Sequence, residues 1–293
     1  MTIELDIIRF IQGMRSGFVD AVMQAITQLG DQFAFIAVAL VIYWFVNKKS
    51  AFKLVFVFIF SSIVNEGLKA LIQRPRPFKE DPALGVGEET HGYSFPSGHA
   101  QNTAVISTVL YQEYGKANKW LKWVLLAAMI LVPFTRVYLG QHYPSDVIIG
   151  LVLGISVAFL IGRVVELMKD REHIYGLLVL IPLVLGVLAI QIFTAPHYDD
   201  VKTMFVAAGG LTGFMLGYVL DKFKIMYDEK PQGIKILWRA LVGLAGVLIL
   251  YVGLSAIFDL IAEDNVYLDF IRYAAIGFFG SAGSMFIFKK LKV

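Results

Sequence analysis

The sequence predicts an all-α, polytopic transmembrane helical bundle. Apolar residues fill 57% of its 293 positions and charged residues only 17%, against roughly 45–50% and about 25% in soluble domains. Mean hydropathy is +0.68. The apolar residues gather into runs near the roughly 20 residues that cross a bilayer. A soluble chain of this composition would expose large apolar patches, which argues against a soluble enzyme, a coiled coil or a disordered chain. The net charge of +3 gives no case for nucleic acid. Cysteine is absent, so disulfides, thiolate metal sites and cysteine nucleophiles are excluded.

The N-terminus lacks the basic start and small-residue cleavage site of a signal peptide and carries Glu4 and Asp6 early. From Ile3 to Leu29, Ile7, Phe10, Ile11, Met14, Phe18, Val22 and Ile26 recur at helical spacing, broken by Arg9, Arg15 and Asp20. This pattern predicts an amphipathic helix in the membrane interface, with a first spanning helix as the alternative. Spans are then expected near 31–47, 51–72, 99–115, 120–138, 144–168, 174–194, 202–221, 236–261 and 266–289. Those at 31–47 and 99–115 are the weakest by hydropathy, the first being short and the second holding Gln101 and Asn102. Residues 1–170 read as one functional core with the amphipathic segment at 1–29, and 171–293 as an extension. Small residues at four-residue steps, Gly150/Gly154 and Gly209/Gly213/Gly217, predict close helix packing.

The loops alternate in charge. One set carries Lys48, Lys49 and Lys53, then Lys116, Lys119 and Lys122, then Lys169 and Arg171, then Lys222, Lys224, Lys230 and Lys235. Lys289, Lys290 and Lys292 fall on the same side. The other set is acidic, with Glu80, Asp81, Glu88, Glu89, Asp199, Asp200, Glu263 and Asp264. The positive-inside rule places the lysine set in the cytoplasm and the acidic set outside.

The one long loop, 73–98, holds four of the nine prolines, and such loops are usually functional or disordered. At its start Lys69 ends an apolar span seven residues before Arg76. An ionisable residue there is either functional or, like Arg74, snorkelling to the interface. At its end Pro96-Ser97-Gly98-His99 enters a helix. Ser97 suits an N-cap and Gly98 permits close backbone approach, and free N–H groups at a helix start attract anions. A third segment carries Thr135, Arg136, His142 and Asp146. The last two are four residues apart, which allows a His–carboxylate hydrogen bond. The loop topology brings all three segments to the outer face. Three cations, two donors and two histidines with a carboxylate suit phosphoryl transfer without a metal: the cations neutralise phosphate oxygens, and one histidine can be nucleophile and the other general acid.

These segments resemble the three-part motif of the type 2 phosphatidic acid phosphatase family, shared with vanadium haloperoxidases and bacterial acid phosphatases. That motif is Lys-x6-Arg-Pro, Pro-Ser-Gly-His and Ser-Arg-x5-His-x3-Asp. Here it reads Lys69…Arg76-Pro77, Pro96-Ser97-Gly98-His99 and Thr135-Arg136…His142…Asp146. Thr135 stands where the family has Ser, which puts only a minor role there in question. The resemblance covers roughly residues 1–168 as a six-helix core and leaves about four further transmembrane helices outside it. It implies that His142 is the nucleophile, Asp146 its orienting carboxylate and His99 the general acid and base. Lys69, Arg76, Ser97, Gly98 and Arg136 would hold the phosphate, with no metal or other cofactor. It implies a membrane-lipid phosphate or diphosphate as substrate, and the Asn47-Lys48-Lys49 turn and residues 92–102 look like bacterial members. A phosphotransferase of the same fold and a non-catalytic lipid-binding or transport protein are the alternatives. His91 in the long loop reads as a surface residue.

If the acidic loops are outside, a cysteine placed at Glu88 will be labelled by an impermeant thiol reagent in intact cells, and one at Asn118 will not. The opposite labelling pattern would invert the topology.

Overall fold

The computed structural model describes residues 2–293 except 89, 195, 196 and 229. Glu89 therefore lies outside the described residues, as do the side chains of Asp199 and Asp200. The helices are α1 Thr2–Gln12, α2 Gly17–Thr27, α3 Gln32–Val41, α4 Lys48–Ile72, α5 Pro77–Glu80, α6 Gly98–Leu110, α7 Lys119–Tyr138, α8 Pro144–Met168, α9 Glu172–Thr194, α10 Tyr198–Leu220, α11 Ile234–Asp259, α12 Val266–Phe278 and α13 Ser284–Leu291. Among the described residues no β-strand occurs.

Among the described residues, six helical stretches are long and apolar enough to cross a membrane, or seven if Gly17–Gly30 and Gln32–Val46, bent by 54°, form one span. The protein is a multi-pass membrane protein. Two differences from the nine expected spans have physical reasons. The stretch Pro144–Phe193 counts once, although a 3₁₀ turn at Lys169–Arg171, with Lys169 at φ 52°, divides it into α8 and α9. Residues 98–115 fall short because α6 is polar, and it is polar because protein surrounds it: Ala100, Gln101, Thr103, Ala104, Val105, Ser107, Thr108 and Val109 are all buried. A helix shielded from lipid needs no apolar exterior.

Residues 3–29 are likewise not one helix. The chain turns at Gly13–Arg15, and Ser16 starts α2 by accepting the Val19 N–H at 3.3 Å. Leu5, Ile8 and Ile11 of α1 pack into a core cluster with Leu84, Ala100, Val137, Tyr143 and Val147.

The chain forms two compact units. The first comprises Met1–Ala39 and Phe52–Leu167, the second Leu40–Ala51 and Met168–Val293. In the first, α6 is the hub. Gly150 and Gly154 of α8 lie so close to the backbone oxygens of Ser97 and Gln101 that a Cβ at either would collide with them. On the α4 side, Asn65 Nδ2 donates to Gln101 Oε1 at 2.7 Å, and Gln101 Nε2 donates to the Ser61 carbonyl and hydroxyl, each at 2.7 Å. A buried amide satisfied on both ends fixes the register of two polar helices. Near the opposite end of α4 from Lys69, buried Lys53 pairs with Glu113 and Glu166 at 2.8 Å each.

The second unit explains why Leu40–Ala51 leaves the segment the sequence assigned to the core. Tyr43 donates to Asp221 at 2.7 Å, Trp44 Nε1 donates to the Gly280 carbonyl at 2.8 Å, and Arg239 donates to the Trp44 carbonyl at 2.9 Å. Gly209, Gly213 and Gly217 of α10 abut the backbone of α12 and the turn after it, at Phe270, Ala274 and Ala282.

Candidate active site

The loop between α4 and α6 is pinned by hydrogen bonds within itself and to the α7–α8 connection. Ser94 N–H bonds the Arg74 carbonyl at 2.8 Å, Val86 N–H bonds the Leu139 carbonyl at 3.2 Å, and Thr90 N–H bonds Gln141 Oε1 at 3.2 Å. Gly92, at φ 72°, makes a turn that an L side chain would strain. These bonds draw the loop onto the α7–α8 connection and so bring the three motif segments together.

His142 is at the centre, 2% exposed in its side chain. Its Nδ1 lies 2.7 Å from the Ser94 carbonyl, and its Nε2 lies 3.1 Å from Arg76 Nη1. A carbonyl can only accept and a guanidinium can only donate. Nδ1 therefore carries the proton, and Nε2 presents its lone pair beside a cation. Arg76 is buried and anchored on three carbonyls: Gly92 at 2.9 Å, Gln141 at 3.1 Å and His91 at 2.8 Å. His91 thus serves the site through its backbone.

The direct His142–Asp146 hydrogen bond allowed by the four-residue spacing is not made. Nδ1 and Oδ2 are 3.7 Å apart, beyond hydrogen-bond range. Asp146 Oδ2 instead accepts from Ser94 Oγ at 2.5 Å and from Tyr143 N–H at 3.0 Å. Its Oδ1 accepts from Arg74 Nη1 at 2.7 Å. Ser94 stands between the carboxylate and the imidazole, holding one by its hydroxyl and the other by its carbonyl. Arg74 does not snorkel: its guanidinium lies 3.8 Å over the Tyr143 ring and also bonds Ser145 Oγ at 2.7 Å.

Ser97 caps α6, its Oγ 3.5 Å from Ala100 N–H, and its own N–H bonds the Asp146 carbonyl at 3.1 Å. A Cβ on Gly98 would lie 4.0 Å from Lys69 Nζ, which places that ammonium at the α6 N-terminus. Lys69 pairs with Glu66 at 2.9 Å. Arg136 is buried, bonding Thr27 at 3.2 Å and Thr90 at 3.1 Å through its two terminal nitrogens. Its Nε is buried with no hydrogen-bond partner among the described residues, an open donor of the kind an anion would fill. His99 lies within electrostatic reach of Arg136, His142, Arg76 and Lys69, with Nε2 3.9 Å from Asp31. Thr135 stays outside the cluster, because its hydroxyl donates to the Val132 carbonyl at 2.7 Å within α7. Lys69, Arg76, Ser97, Gly98, His99, Arg136, His142 and Asp146 do assemble. Ser94, Arg74 and Asp31 join them without a sequence signal: no spacing rule links Ser94 to a histidine 48 positions on.

A buried imidazole resists a proton, and Arg76, Arg136 and Lys69 oppose it further, so His142 is held well below the ordinary 6.5. Three cations and the N–H groups at the start of α6 thus surround a neutral imidazole, an arrangement able to bind a tetrahedral anion beside an unprotonated nitrogen.

Residues 50–169 match the family model "PAP2 superfamily". Residues 205–293 match "PAP2 superfamily phosphatase, transmembrane extension". Phosphatidylglycerophosphatase B of Bacillus subtilis is 33% identical over 167 residues, covering 53% of this chain and 80% of that one. An undecaprenyl-diphosphatase of Sulfolobus acidocaldarius is 29% identical over 159 residues, covering 53% and 75%. The crystal structure of a transmembrane PAP2-type phosphatidylglycerolphosphate phosphatase from Bacillus subtilis is 26% identical, with a TM-score of 0.49 over 58% of this chain and 87% of that chain. The membrane-spanning helices and these matches define a multi-pass membrane phosphatase. The chain belongs to the PAP2 superfamily, with that superfamily's transmembrane extension as its C-terminal part.

Because the shift of His142 is downward, its neutral form will persist as the pH falls through 6.5. In ¹³C-histidine NMR spectra of the purified protein, the signal missing from His142→Ala should titrate only below 6.5. A midpoint at or above 6.5 would contradict the electrostatic description.

Proposed function

We propose that this protein hydrolyses a lipid phosphate or diphosphate at the outer face of the cell membrane, by way of a phosphohistidine on His142. The observation that carries the proposal is the fixed tautomer of His142: Nε2 is unprotonated, accepting from the Arg76 guanidinium at 3.1 Å until a phosphate oxygen takes that donor, with Nδ1 tied to the Ser94 carbonyl.

The chemistry runs in two displacements. Burial and the surrounding cations hold His99 well below the ordinary 6.5, so it takes up its proton only as the bound phosphate dianion offsets Arg136, Arg76 and Lys69. The Nε2 lone pair then attacks phosphorus as the bond to the leaving oxygen breaks, and His99 gives that oxygen its proton. The imidazolium so formed keeps its Nδ1–H on the Ser94 carbonyl. His99, now neutral, takes a proton from water as the water oxygen attacks phosphorus. The P–N bond breaks, its electron pair returns to Nε2, and inorganic phosphate departs. Lys69, Arg76 and Arg136 neutralise the equatorial oxygens throughout, and the N–H groups at the start of α6 add hydrogen bonds. Charge neutralisation is thus assigned to side chains; among the described residues no group of three or more His, Asp and Glu is arranged to hold a metal ion.

The site's place at one end of a membrane bundle suits a substrate whose headgroup projects from the bilayer while its chains stay in lipid. The names of the relatives, an undecaprenyl-diphosphatase and a phosphatidylglycerophosphatase, support a polyprenyl diphosphate or a glycerophospholipid phosphate as that substrate. The acidic loops support the outer face.

Detergent-purified protein should release phosphate from one or more of these lipids in excess EDTA, and vanadate should inhibit it. His99→Ala should lose roughly 10²–10⁴-fold on the lipid substrate, the usual worth of acid–base assistance. It should lose far less in the first turnover of nitrophenyl phosphate, whose leaving group needs little protonation. Activity that vanishes on chelation and returns with Mg²⁺, or equal losses on both substrates, would contradict the mechanism.

A further inference from the structure

Helix α1 is apolar on two faces. Leu5, Ile8 and Ile11 are packed against the first unit's core, and Gln12 Nε2 donates to the carbonyls of Leu84 at 2.8 Å and Tyr138 at 2.7 Å. The other face presents Ile3, 74% exposed, and Phe10, 85% exposed, with Ile7 between them. A helix seated on protein on one side and apolar on the other lies in the lipid interface.

Glu4 ties this helix to the catalytic loop with both carboxylate oxygens. Oε1 accepts the backbone N–H of Ser145 at 2.9 Å, and Oε2 accepts Arg74 Nη2 at 2.5 Å. Ser145 is the second residue of α8, so Glu4 caps α8 from another helix, where a negative charge is favoured. Arg74 uses its other terminal nitrogen to hold Asp146 Oδ1 and Ser145 Oγ. One carboxylate thereby fixes the backbone before Asp146 and the guanidinium beside it. Asp146 in turn holds the Ser94 hydroxyl, and the Ser94 carbonyl holds His142 Nδ1. Burial opposes ionisation of Glu4, but the Ser145 amide and Arg74 outweigh it, and its carboxyl is held below the ordinary value.

We propose that Glu4 is a positioning residue for the nucleophile, acting through Arg74, Asp146 and Ser94, so that the lipid-facing helix α1 is part of the catalytic apparatus. The proposal rests on the reading of His142 as nucleophile. Glu4 touches neither the imidazole nor a phosphate; its effect is on the angle at which Nε2 meets phosphorus. Glutamine keeps the length of the side chain and one acceptor oxygen. It must then turn an NH₂ onto either Arg74 or the Ser145 amide, both of which are donors.

The test is rapid-quench measurement of phosphoenzyme formation in detergent micelles, with nitrophenyl phosphate and with a lipid substrate. The rate should fall in the order wild type, Glu4→Gln, Glu4→Ala. The alanine variant should lose roughly 10–100-fold, since a displacement of about 1 Å can cost about 10²-fold. KM should stay within about threefold, because the phosphate-binding cations are untouched. The amplitude per mole of protein should remain full. A merely structural role would give the opposite split, a reduced amplitude and an unchanged rate per competent site, and would overturn the proposal, as would equal rates in all three proteins. If Glu4→Ala does not fold, Glu4→Gln carries the test by the same criteria. His142→Ala is run alongside. Phosphoenzyme on it would overturn the nucleophile assignment and the proposal together, whereas its absence with unaltered Glu4 variants would overturn the proposal alone.

Discussion

Everything in the first unit converges on two hydrogen bonds to one imidazole. The Ser94 carbonyl takes the proton at Nδ1, and the Arg76 guanidinium faces the lone pair at Nε2. Both partners demand the same tautomer, so nothing in the site favours the other. The need to hold both explains features that would otherwise look unrelated. The long loop is stitched to the α7–α8 connection so that Ser94 arrives from one side. Arg76 is spread over three backbone carbonyls so that it arrives from the other. Asp146, buried and surrounded by donors, fixes Ser94 rather than the histidine itself.

Holding two guanidiniums and two histidines together inside a membrane protein is expensive in desolvation, and unpaired buried charge is strongly destabilising. The positive N-terminal end of α6 adds to that cost; the fold offsets it by bonding Arg76 to three backbone carbonyls and Arg136 to two threonine hydroxyls, beside a helix that other helices shield from lipid. Polar α6 is tolerated because α8 approaches it through Gly150 and Gly154, and α4 reaches it through the Asn65–Gln101–Ser61 network. The span that looked least like a membrane helix is thus the one on which the site is built. Arg136 keeps one buried donor without a partner among the described residues.

Much of this was legible in the sequence. The helical class followed from hydropathy, and the assembled residues followed from the spacing of Lys69–Arg76, Ser97–His99 and Arg136–His142–Asp146. The glycine steps foretold close packing. Four things were not legible. The break at Gly13–Ser16 was hidden because apolar positions keep helical phase across it. The direct His142–Asp146 bond that four-residue spacing allows is not made, because Ser94 Oγ donates to that carboxylate oxygen instead. Arg74 resembled an interface cation because its partners, Glu4 and Asp146, lie 70 and 72 residues away, and sequence adjacency carries no record of such pairs. The assignment of residues 40–51 to the second unit failed to show for the same reason: Tyr43 and Trp44 find their partners at Asp221 and Gly280.

The central claim is that Nε2 of His142 bonds to phosphorus during turnover. It is tested most directly by quenching the wild-type protein in alkali during a single turnover of ³²P-labelled substrate, then digesting it and locating the label by mass spectrometry. The account predicts acid-labile, base-stable phosphate on the peptide that contains His142. Label on the His99 peptide, or phosphate release with no labelled peptide at any time in the turnover, would contradict it.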